Sequence, residues 1–101
     1  MVKKKREIIW DTRAVDSLKE AYLLIKKESP PSAKKVVQEI RDTIKLIASD
    51  PEIFEQDRFK NNNDGSYRAF EKYSYRIVYK FTENKILVLR VRHSSREPLI
   101  Y

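Results

Sequence analysis

Apolar residues recur at helical spacing in two stretches of the sequence. Before the first, Asp11-Thr12 offers side-chain oxygens that can accept from the free N–H groups of a first helical turn. The apolar residues that follow are Ala14, Leu18, Ala21, Tyr22 and Ile25. Because this spacing puts them on one side of a helix, it predicts an amphipathic helix that ends near Glu28.

The second apolar stripe follows a proline-rich break at Ser29-Pro30-Pro31. Proline is tolerated in the first turn of a helix, where its missing N–H costs little. The stripe consists of Val36, Val37, Ile40, Ile44 and Ile47. Asp50-Pro51 ends it, because the residue before a proline disfavours the α region. Two amphipathic helices separated by so short a turn predict a helical hairpin.

The period of the pattern changes to two after a loop over residues 52–66. The run from Asn61 to Ser66 favours a turn at the end of that loop. Two strands are then predicted, at Tyr67–Lys72 and Tyr75–Phe81. Tyr73-Ser74 is the tight link between them.

A last strand is predicted from Ile86 to Arg92, after a hairpin turn at Glu83-Asn84. Strict alternation puts four side chains on one of its faces, Leu87, Leu89, Val91 and His93. We expect that face, and His93 with it, to meet the helices. A short β-type run from Arg6 to Trp10 precedes the helices.

The predicted order is β-α-α-β-β-β, which fits a single α+β domain over residues 1–101. Three successive strands joined by short turns form an antiparallel meander. The two-helix hairpin should pack on one face of this small antiparallel sheet. The other face, which has arginine and lysine among its positions, should stay partly open.

The composition excludes several kinds of site. The chain has 101 residues, with no cysteine, one histidine and one glycine. It therefore offers no disulfide framework, no thiolate zinc site and no glycine-rich phosphate loop. No apolar run approaches the roughly 18 residues of a membrane span, and no signal-peptide stretch is present. The sequence predicts a cytoplasmic protein with no membrane partner.

Positive charge is concentrated in the last third of the sequence. The chain carries 22 Lys and Arg against 15 Asp and Glu, a net charge of +7. Eight basic and three acidic residues lie between Ser66 and Tyr101, so that stretch has a net charge of +5. Such a surface suits a polyanion or an acidic protein partner. A soluble domain that is merely basic is the alternative.

Two motifs near the end of the sequence resemble those of a known superfamily. One is Tyr75-Arg76-Ile77-Val78-Tyr79, and the other is the run from Val88 to His93 followed by Arg96-Glu97-Pro98. In this order, after a strand and a helical hairpin, they resemble the RelE/ParE superfamily of bacterial type II toxin–antitoxin systems. That superfamily includes plasmid-stabilisation and addiction-module toxins. The resemblance spans nearly the whole chain and implies a RelE/ParE-like fold.

The resemblance implies a toxin whose partner is a cognate antitoxin protein. RelE-like members enter the ribosomal A site and cleave mRNA, whereas ParE-like members act on DNA gyrase without a nuclease site. We expect ribosome-dependent mRNA cleavage. A gyrase inhibitor that acts by binding, and a degenerate toxin that binds only its antitoxin, are the alternatives. Cleavage through the RNA's own 2′-OH needs positioning and proton transfer, and neither a metal nor another cofactor.

The resemblance implies four catalytic candidates, Arg76, Arg96, Tyr101 and Arg68. Arg76 matches an arginine that contacts the reacting phosphate, although it could instead pair structurally with Glu71. Arg96 matches an arginine just after the last strand, and Tyr101 a tyrosine that could orient the 2′-OH or be unanchored. Arg68 stands where RelE-like members carry a lysine, and Phe70 replaces the next one. This departs from the RelE-like pattern, because arginine is a poor general base.

The candidates for RNA binding are five further side chains, Lys72, Lys80, Arg90, Arg92 and His93. Cations interleaved with tyrosines suit single-stranded RNA, since bases stack on rings and phosphates meet cations. Histidine titrates near neutral pH and can serve as acid or base. A structural role remains open for His93, because its predicted face meets the helices.

Overall fold

The first helix begins at the cap that the sequence supplies. The structure is a computed structural model that describes residues 5–101. Helix α1 spans Thr12–Glu28, and the carboxylate of Asp11 accepts from the backbone N–H of Arg13 at 2.8 Å. This hydrogen bond satisfies one of the N–H groups that a first helical turn leaves unpaired. The predicted bounds of α1 are confirmed.

The second helix, α2, spans Pro30–Ser49 and completes the predicted hairpin. The hydroxyl of Ser29 accepts from the N–H of Ser32 at 3.4 Å, and Pro30 takes the first helical position. One turn therefore ends α1 and starts α2. No helix within residues 5–101 is long and apolar enough to cross a membrane.

Within residues 5–101, four strands form one sheet in the order β1-β4-β3-β2. They are β1 Glu7–Trp10, β2 Tyr67–Lys72, β3 Tyr75–Phe81 and β4 Lys85–His93. Strands β2, β3 and β4 form the antiparallel meander that the sequence predicts. Strand β1 pairs parallel with β4, with Glu7 opposite Lys85, so the sheet is mixed. The α+β fold class is confirmed.

The helices cover one face of the sheet and bury its apolar side chains. The residues of this core include Leu18, Ile40, Ile44, Ile47, Ile77, Tyr79, Ile86 and Val88. Ile8 and Trp10 of β1 pack against the same core at its edge. Burial of apolar surface is the main stabilising contribution to a domain of this size. The packed core therefore fixes the positions of the strands, and with them the side chains on the opposite, uncovered face of the sheet.

A β-bulge in β4 overturns the strict alternation that we expected there. The pairing shifts between Val78, which faces Arg90, and Tyr79, which faces Val88, so Leu89 is the extra residue. Ile86 and Val88 consequently point into the core, and the prediction that Leu87 and Leu89 share the helix-facing side is wrong. An extra residue reverses the alternation of side chains between the two faces of the sheet, so positions before and after the bulge no longer follow one pattern.

The turn between β2 and β3 has an unusual backbone. Tyr73 and Ser74 both have positive φ, at 49° and 69°. Lys72 and Tyr75 pair on either side of them, so the loop has two residues. Both central residues of such a turn adopt positive φ when its twist matches that of the strands, which is why Asn-Gly is preferred there. Neither position holds a glycine here, and the turn is correspondingly strained.

The loop over residues 50–66 is packed against the sheet along its β2 edge. Phe54 stacks on Phe70 with ring centroids 5.1 Å apart. The hydroxyl of Tyr79 donates to the carbonyl of Pro51 at 2.7 Å. The N–H of Asp57 donates to the carbonyl of Tyr67 at 2.8 Å. These contacts carry the loop around the edge of the sheet and bring Asp57 to the face that the helices leave open.

Candidate functional site

The uncovered face of the sheet is lined with arginine. Arg76 on β3 lies opposite Arg92 on β4, and Arg90 lies opposite Val78. A cleft of about 120 Å³ opens at this end of the face. Its charged lining residues are Asp57, Arg58, Glu71, Arg76, Arg90, Arg92 and Arg96, and His93 also borders it. We call this the arginine cleft.

A buried carboxylate lies at the bottom of the arginine cleft. Asp57 is only 2% exposed. One of its oxygens, Oδ1, accepts from the guanidinium of Arg76 at 2.8 Å and from the N–H of Phe59 at 3.1 Å. The other, Oδ2, accepts from the hydroxyl of Tyr101 at 2.7 Å. A buried carboxylate needs such donors, because leaving water is costly for an unpaired charge.

The pKa values of this cluster, which we call the Asp57 junction, follow from the same contacts. Burial alone would favour the neutral acid, but the hydrogen bonds from Arg76, Tyr101 and the Phe59 N–H outweigh it and lower the pKa of Asp57. Burial and the adjacent carboxylate raise the pKa of the Tyr101 hydroxyl. At neutral pH the junction therefore consists of an ionised Asp57 and a protonated Tyr101.

Arg76 is held from three sides. It pairs with Asp57, its second terminal nitrogen lies 3.6 Å from the carboxylate of Glu71, and its guanidinium lies 5.0 Å from the ring centre of Phe59. The pairing with Glu71 that the sequence left open as an alternative is present, and the buried Asp57 adds a closer partner. Two carboxylates therefore neutralise the strongest of the catalytic candidates.

Tyr101 is anchored to the loop by its backbone as well as by its hydroxyl. Its N–H donates to the carbonyl of Phe59 at 3.1 Å, and its carbonyl accepts from the N–H of Asn61. The Tyr101 ring lies 4.7 Å from the guanidinium carbon of Arg90 and 5.3 Å from the ammonium of Lys60. The unanchored alternative for Tyr101 is therefore wrong, and residues 94–101 form an arch that returns to the sheet.

The other end of the arch is fixed at the end of β4. The N–H of Ser94 donates to the carbonyl of Ser74 at 2.6 Å. His93 Nδ1 accepts from the N–H of Ser95 at 3.1 Å, and its ring meets the edge of Tyr75. His93 lies on the helix-facing side with Val91, as expected, and because it ends β4 it also borders the arginine cleft.

The remaining candidates divide between the two sides of the sheet. Arg96 lines the arginine cleft, and Lys80 lies on the same face with its ammonium 5.1 Å from the Tyr67 ring. Arg68 lies opposite the buried Tyr79 on the other face. There it donates to the carbonyls of Gly65 and Phe54, both at 2.9 Å.

Lys72 falls on the same side of β2 as Arg68, by alternation along the strand. Neither Lys72 nor Arg68 is therefore brought into the arginine cleft. Of the four catalytic candidates, Arg76 and Arg96 line the cleft, and Tyr101 is joined to Arg76 through Asp57.

Sequence reasoning missed Asp57, which is the centre of the cluster. It lies in a loop with no periodic pattern, and its partners Arg76 and Tyr101 are far away along the chain. A single sequence does not distinguish this aspartate from Asp64, which caps a local turn by accepting from the Ser66 N–H. The contacts that define its role, such as Phe59 packing against the same arginine, are visible only in the structure.

A second surface lies on the helical hairpin. A groove of about 680 Å³ runs beside α1, and its walls are apolar. Its lining residues are Trp10, Val15, Leu18, Lys19, Tyr22, Leu23, Val37 and Arg41. Lys19 and Arg41 make the rim of this helix groove positive. Leu23 is 57% exposed there, although an aliphatic side chain of this size usually lies inside a domain.

Solved structures share this architecture. The chromosomal ParDE toxin–antitoxin system of P. aeruginosa matches 88% of this chain and 96% of the other, at 17% identity and a TM-score of 0.66. The RelBE2 toxin–antitoxin complex of Mycobacterium tuberculosis matches 91% and 94%, at 14% identity and a TM-score of 0.59. At such identities the likeness shows the fold. None of the curated proteins matches the chain in sequence.

The family is shown by a sequence model. The model described as the ParE toxin of the type II toxin–antitoxin system parDE matches residues 8–98, which include every helix and strand except the first residue of β1. The predicted membership of the RelE/ParE superfamily is confirmed, and this chain belongs to the ParE toxin family of type II toxin–antitoxin systems.

Proposed function

We propose that this toxin acts by binding DNA gyrase and not by cutting RNA. The observation that carries the proposal is the pairing of Arg76 with the buried Asp57 at 2.8 Å. A cation that stabilises a cleaved phosphate must be free to meet the charge that develops there. Arg76 is instead paired with a carboxylate of the protein itself, which reverses the preference for mRNA cleavage that the sequence alone favoured.

The proton chemistry of the arginine cleft supports the same proposal. RNA cleavage needs a group that removes the proton of the 2′-OH. Asp57 is locked by three donors, and the pKa of Tyr101 is raised, so neither is a base near neutral pH. Glu71 is engaged by Arg76, and Nδ1 of His93 is engaged by Ser95. A binding function requires none of these groups to titrate.

RNA cleavage remains the second candidate because of one specific observation. The fold brings Arg76 and Arg96 to the same cleft, and it ties the Tyr101 hydroxyl to the Asp57 carboxylate that lines this cleft. These residues come from a central strand and from the arch. An active site needs such convergence from separate segments. Under this alternative Arg76 would exchange Asp57 for the phosphate of the RNA.

The antitoxin partner is supported by the two structural neighbours, which are both toxin–antitoxin systems. We propose that the antitoxin binds the helix groove with an amphipathic, acidic segment. The apolar wall at Leu18 and Leu23 would take its apolar residues, while Lys19 and Arg41 would meet its carboxylates. Helix-in-groove recognition uses this combination of contacts.

The test compares two targets with one protein. Purified toxin is added to a gyrase supercoiling reaction and, separately, to ribosomes that translate a defined mRNA whose 5′ ends are mapped. We expect inhibition of supercoiling at micromolar or lower toxin and an intact message. Cuts at A-site positions with unimpaired supercoiling would overturn the proposal and establish the second candidate.

Arg96→Ala provides a decisive variant, because Arg96 is exposed and its loss leaves the Asp57 junction intact. The matched control is Lys45→Ala, which removes an equally exposed cation from α2. Under RNA cleavage, Arg96→Ala should lose the cuts altogether. Under gyrase binding it should weaken inhibition by no more than about fivefold, the upper range for one exposed ion pair.

A further inference from the structure

Between its two anchors the arch presents a fixed stretch of exposed chain. Residues 94–100 are all exposed, although hydrogen bonds hold both ends of the segment. Arg92 adds a third contact by donating to the carbonyl of Glu97 at 3.0 Å. A loop held in this way has lost its conformational freedom before any partner arrives, which lowers the entropic cost of binding.

The exposed side chains of the arch include two adjacent aliphatic residues. Leu99 is 43% exposed and Ile100 is 68% exposed. Ile100 immediately precedes Tyr101, whose hydroxyl is hydrogen-bonded to Asp57. This contact fixes the backbone next to Ile100 while the Ile100 side chain stays exposed. Single exposed apolar residues are ordinary on protein surfaces, but a neighbouring pair on a rigid projection is typical of a contact site.

The charges around this pair are mostly positive. Leu99 borders the arginine cleft, which is lined near it by Arg58, Arg92 and Arg96. The acidic residue of the arch is Glu97. Nucleic acids are bound through cations and aromatic rings. An aliphatic pair with a cationic rim instead has the composition of a protein–protein contact, which is apolar at the centre and polar around it.

We propose that the arch is the surface through which the toxin docks on its target, and that the docking site is an apolar depression on a protein, rimmed by carboxylates. Leu99 and Ile100 enter the depression, and Arg96 meets the carboxylates. Asp57 is the positioning residue, since it holds Tyr101 and thereby the shape of the arch. The inference rests on the proposed function, in which the toxin works by binding a protein.

The experiment is growth arrest in bacteria that express the full chain from a repressible promoter. Ile100→Asp and Ile100→Lys are compared with the wild type, and Leu46→Asp and Leu46→Lys are the matched controls. Leu46 is 51% exposed on α2. The thermal midpoints of all four purified variants verify that the fold is retained, which substitutions at such exposed positions should permit.

We expect both Ile100 variants to need at least tenfold more inducer for the same arrest, and both Leu46 variants to match the wild type. If Ile100→Lys keeps full activity while Ile100→Asp loses it, charge and not apolar contact decides the binding, and the inference that Ile100 enters an apolar depression is overturned. Full activity of both Ile100 variants also overturns it.

The gyrase assay separates this inference from the proposed function. A wild type that arrests growth but leaves purified gyrase active refutes gyrase as the target, and the Ile100 comparison still decides the role of the arch. A wild type that does not arrest growth refutes both. Inhibition of gyrase by the wild type together with equal inhibition by Ile100→Asp refutes the arch alone.

Discussion

The two faces of the sheet are held together by different physical means. The helix-covered face is built from many apolar side chains, of which Ile40, Ile77 and Val88 are fully buried. The open face depends on one buried carboxylate that joins a strand, a loop and the arch. Apolar burial is non-directional and spread over many contacts, whereas the Asp57 junction requires three particular donors.

This difference indicates which substitutions the fold should tolerate. The covered face is stabilised by many apolar contacts, and these determine the fold. The open face depends on one network of charged hydrogen bonds, so a single substitution there can alter the shape of the binding surface while the fold persists. The following substitutions test that separation.

Tyr79→Ala should have the largest effect, because Tyr79 is fully buried and its hydroxyl satisfies the Pro51 carbonyl. We expect a loss of about 4 kcal/mol in the free energy of unfolding, the usual cost of removing a buried aromatic ring. Urea unfolding measures it. Tyr79→Phe is the control, since it keeps the ring and should lose much less. Equal losses of unfolding free energy in the two variants would mean that the hydroxyl of Tyr79, and not its ring, provides most of its stabilisation.

Asp57→Ala should cost somewhat less, about 3 kcal/mol, because it leaves the guanidinium of Arg76 partly buried without its main partner. The diagnostic comparison is the double variant with Arg76→Met. Removing the stranded charge should restore part of the lost stability, as measured by the same urea titration. A double variant that is less stable than Asp57→Ala would show that Arg76 stabilises the fold by other contacts.

Tyr101→Phe should remove a single hydrogen bond to a charged group, at a cost of about 1.5 kcal/mol. Its local effect should be visible in hydrogen exchange. The N–H groups of Asn61 and Tyr101, which pair the arch with the loop, should exchange faster while those of α2 do not change. Unchanged exchange at Asn61 would show that the backbone pairing holds the arch without the Asp57 contact.

Acid should weaken the open face selectively. The pKa of Asp57 is lowered from its ordinary 3.8 in the folded protein. The stabilisation that this shift represents is therefore complete above pH 3.8, is lost as the pH falls below it, and contributes no slope near neutral pH. Unfolding free energies measured from pH 5 downward should fall more steeply for the wild type than for Asp57→Asn. Parallel curves would contradict the lowered pKa.

Much of the fold could be predicted because periodicity reports burial directly. The bounds of both helices, and of β2 and β3, follow from apolar spacing and from caps such as Asp11. The bulge at Leu89 could not be predicted, since its two halves each alternate normally and the sequence does not show where the extra residue lies. The parallel pairing of β1 also depends on distant contacts.

The site was predictable only in part. Arg76, Arg96 and Tyr101 were identified from motif positions. The fold places the two arginines around one cleft, and it joins Tyr101 to the Asp57 carboxylate that lines this cleft. Asp57 could not be identified, because a buried carboxylate in a loop is recognised by its partners and not by its neighbours in the chain. Arg68 shows the opposite error, in which a motif position suggests a site residue that the fold does not bring to the site. A residue at a motif position can be directed to the other face and donate to loop carbonyls instead.

The parallel pairing of β1 with β4 has a consequence for the order of events during synthesis. Glu7 leaves the ribosome early, but its partner Lys85 follows only after both helices and two more strands have been made. At ordinary elongation rates that delay is on the order of ten seconds. Until then Ile8 and Trp10 lack the strand on which they rest. The arrival of β4 therefore completes the core, and the arginine cleft is complete only when the arch follows, so a chain that ends before β4 carries neither.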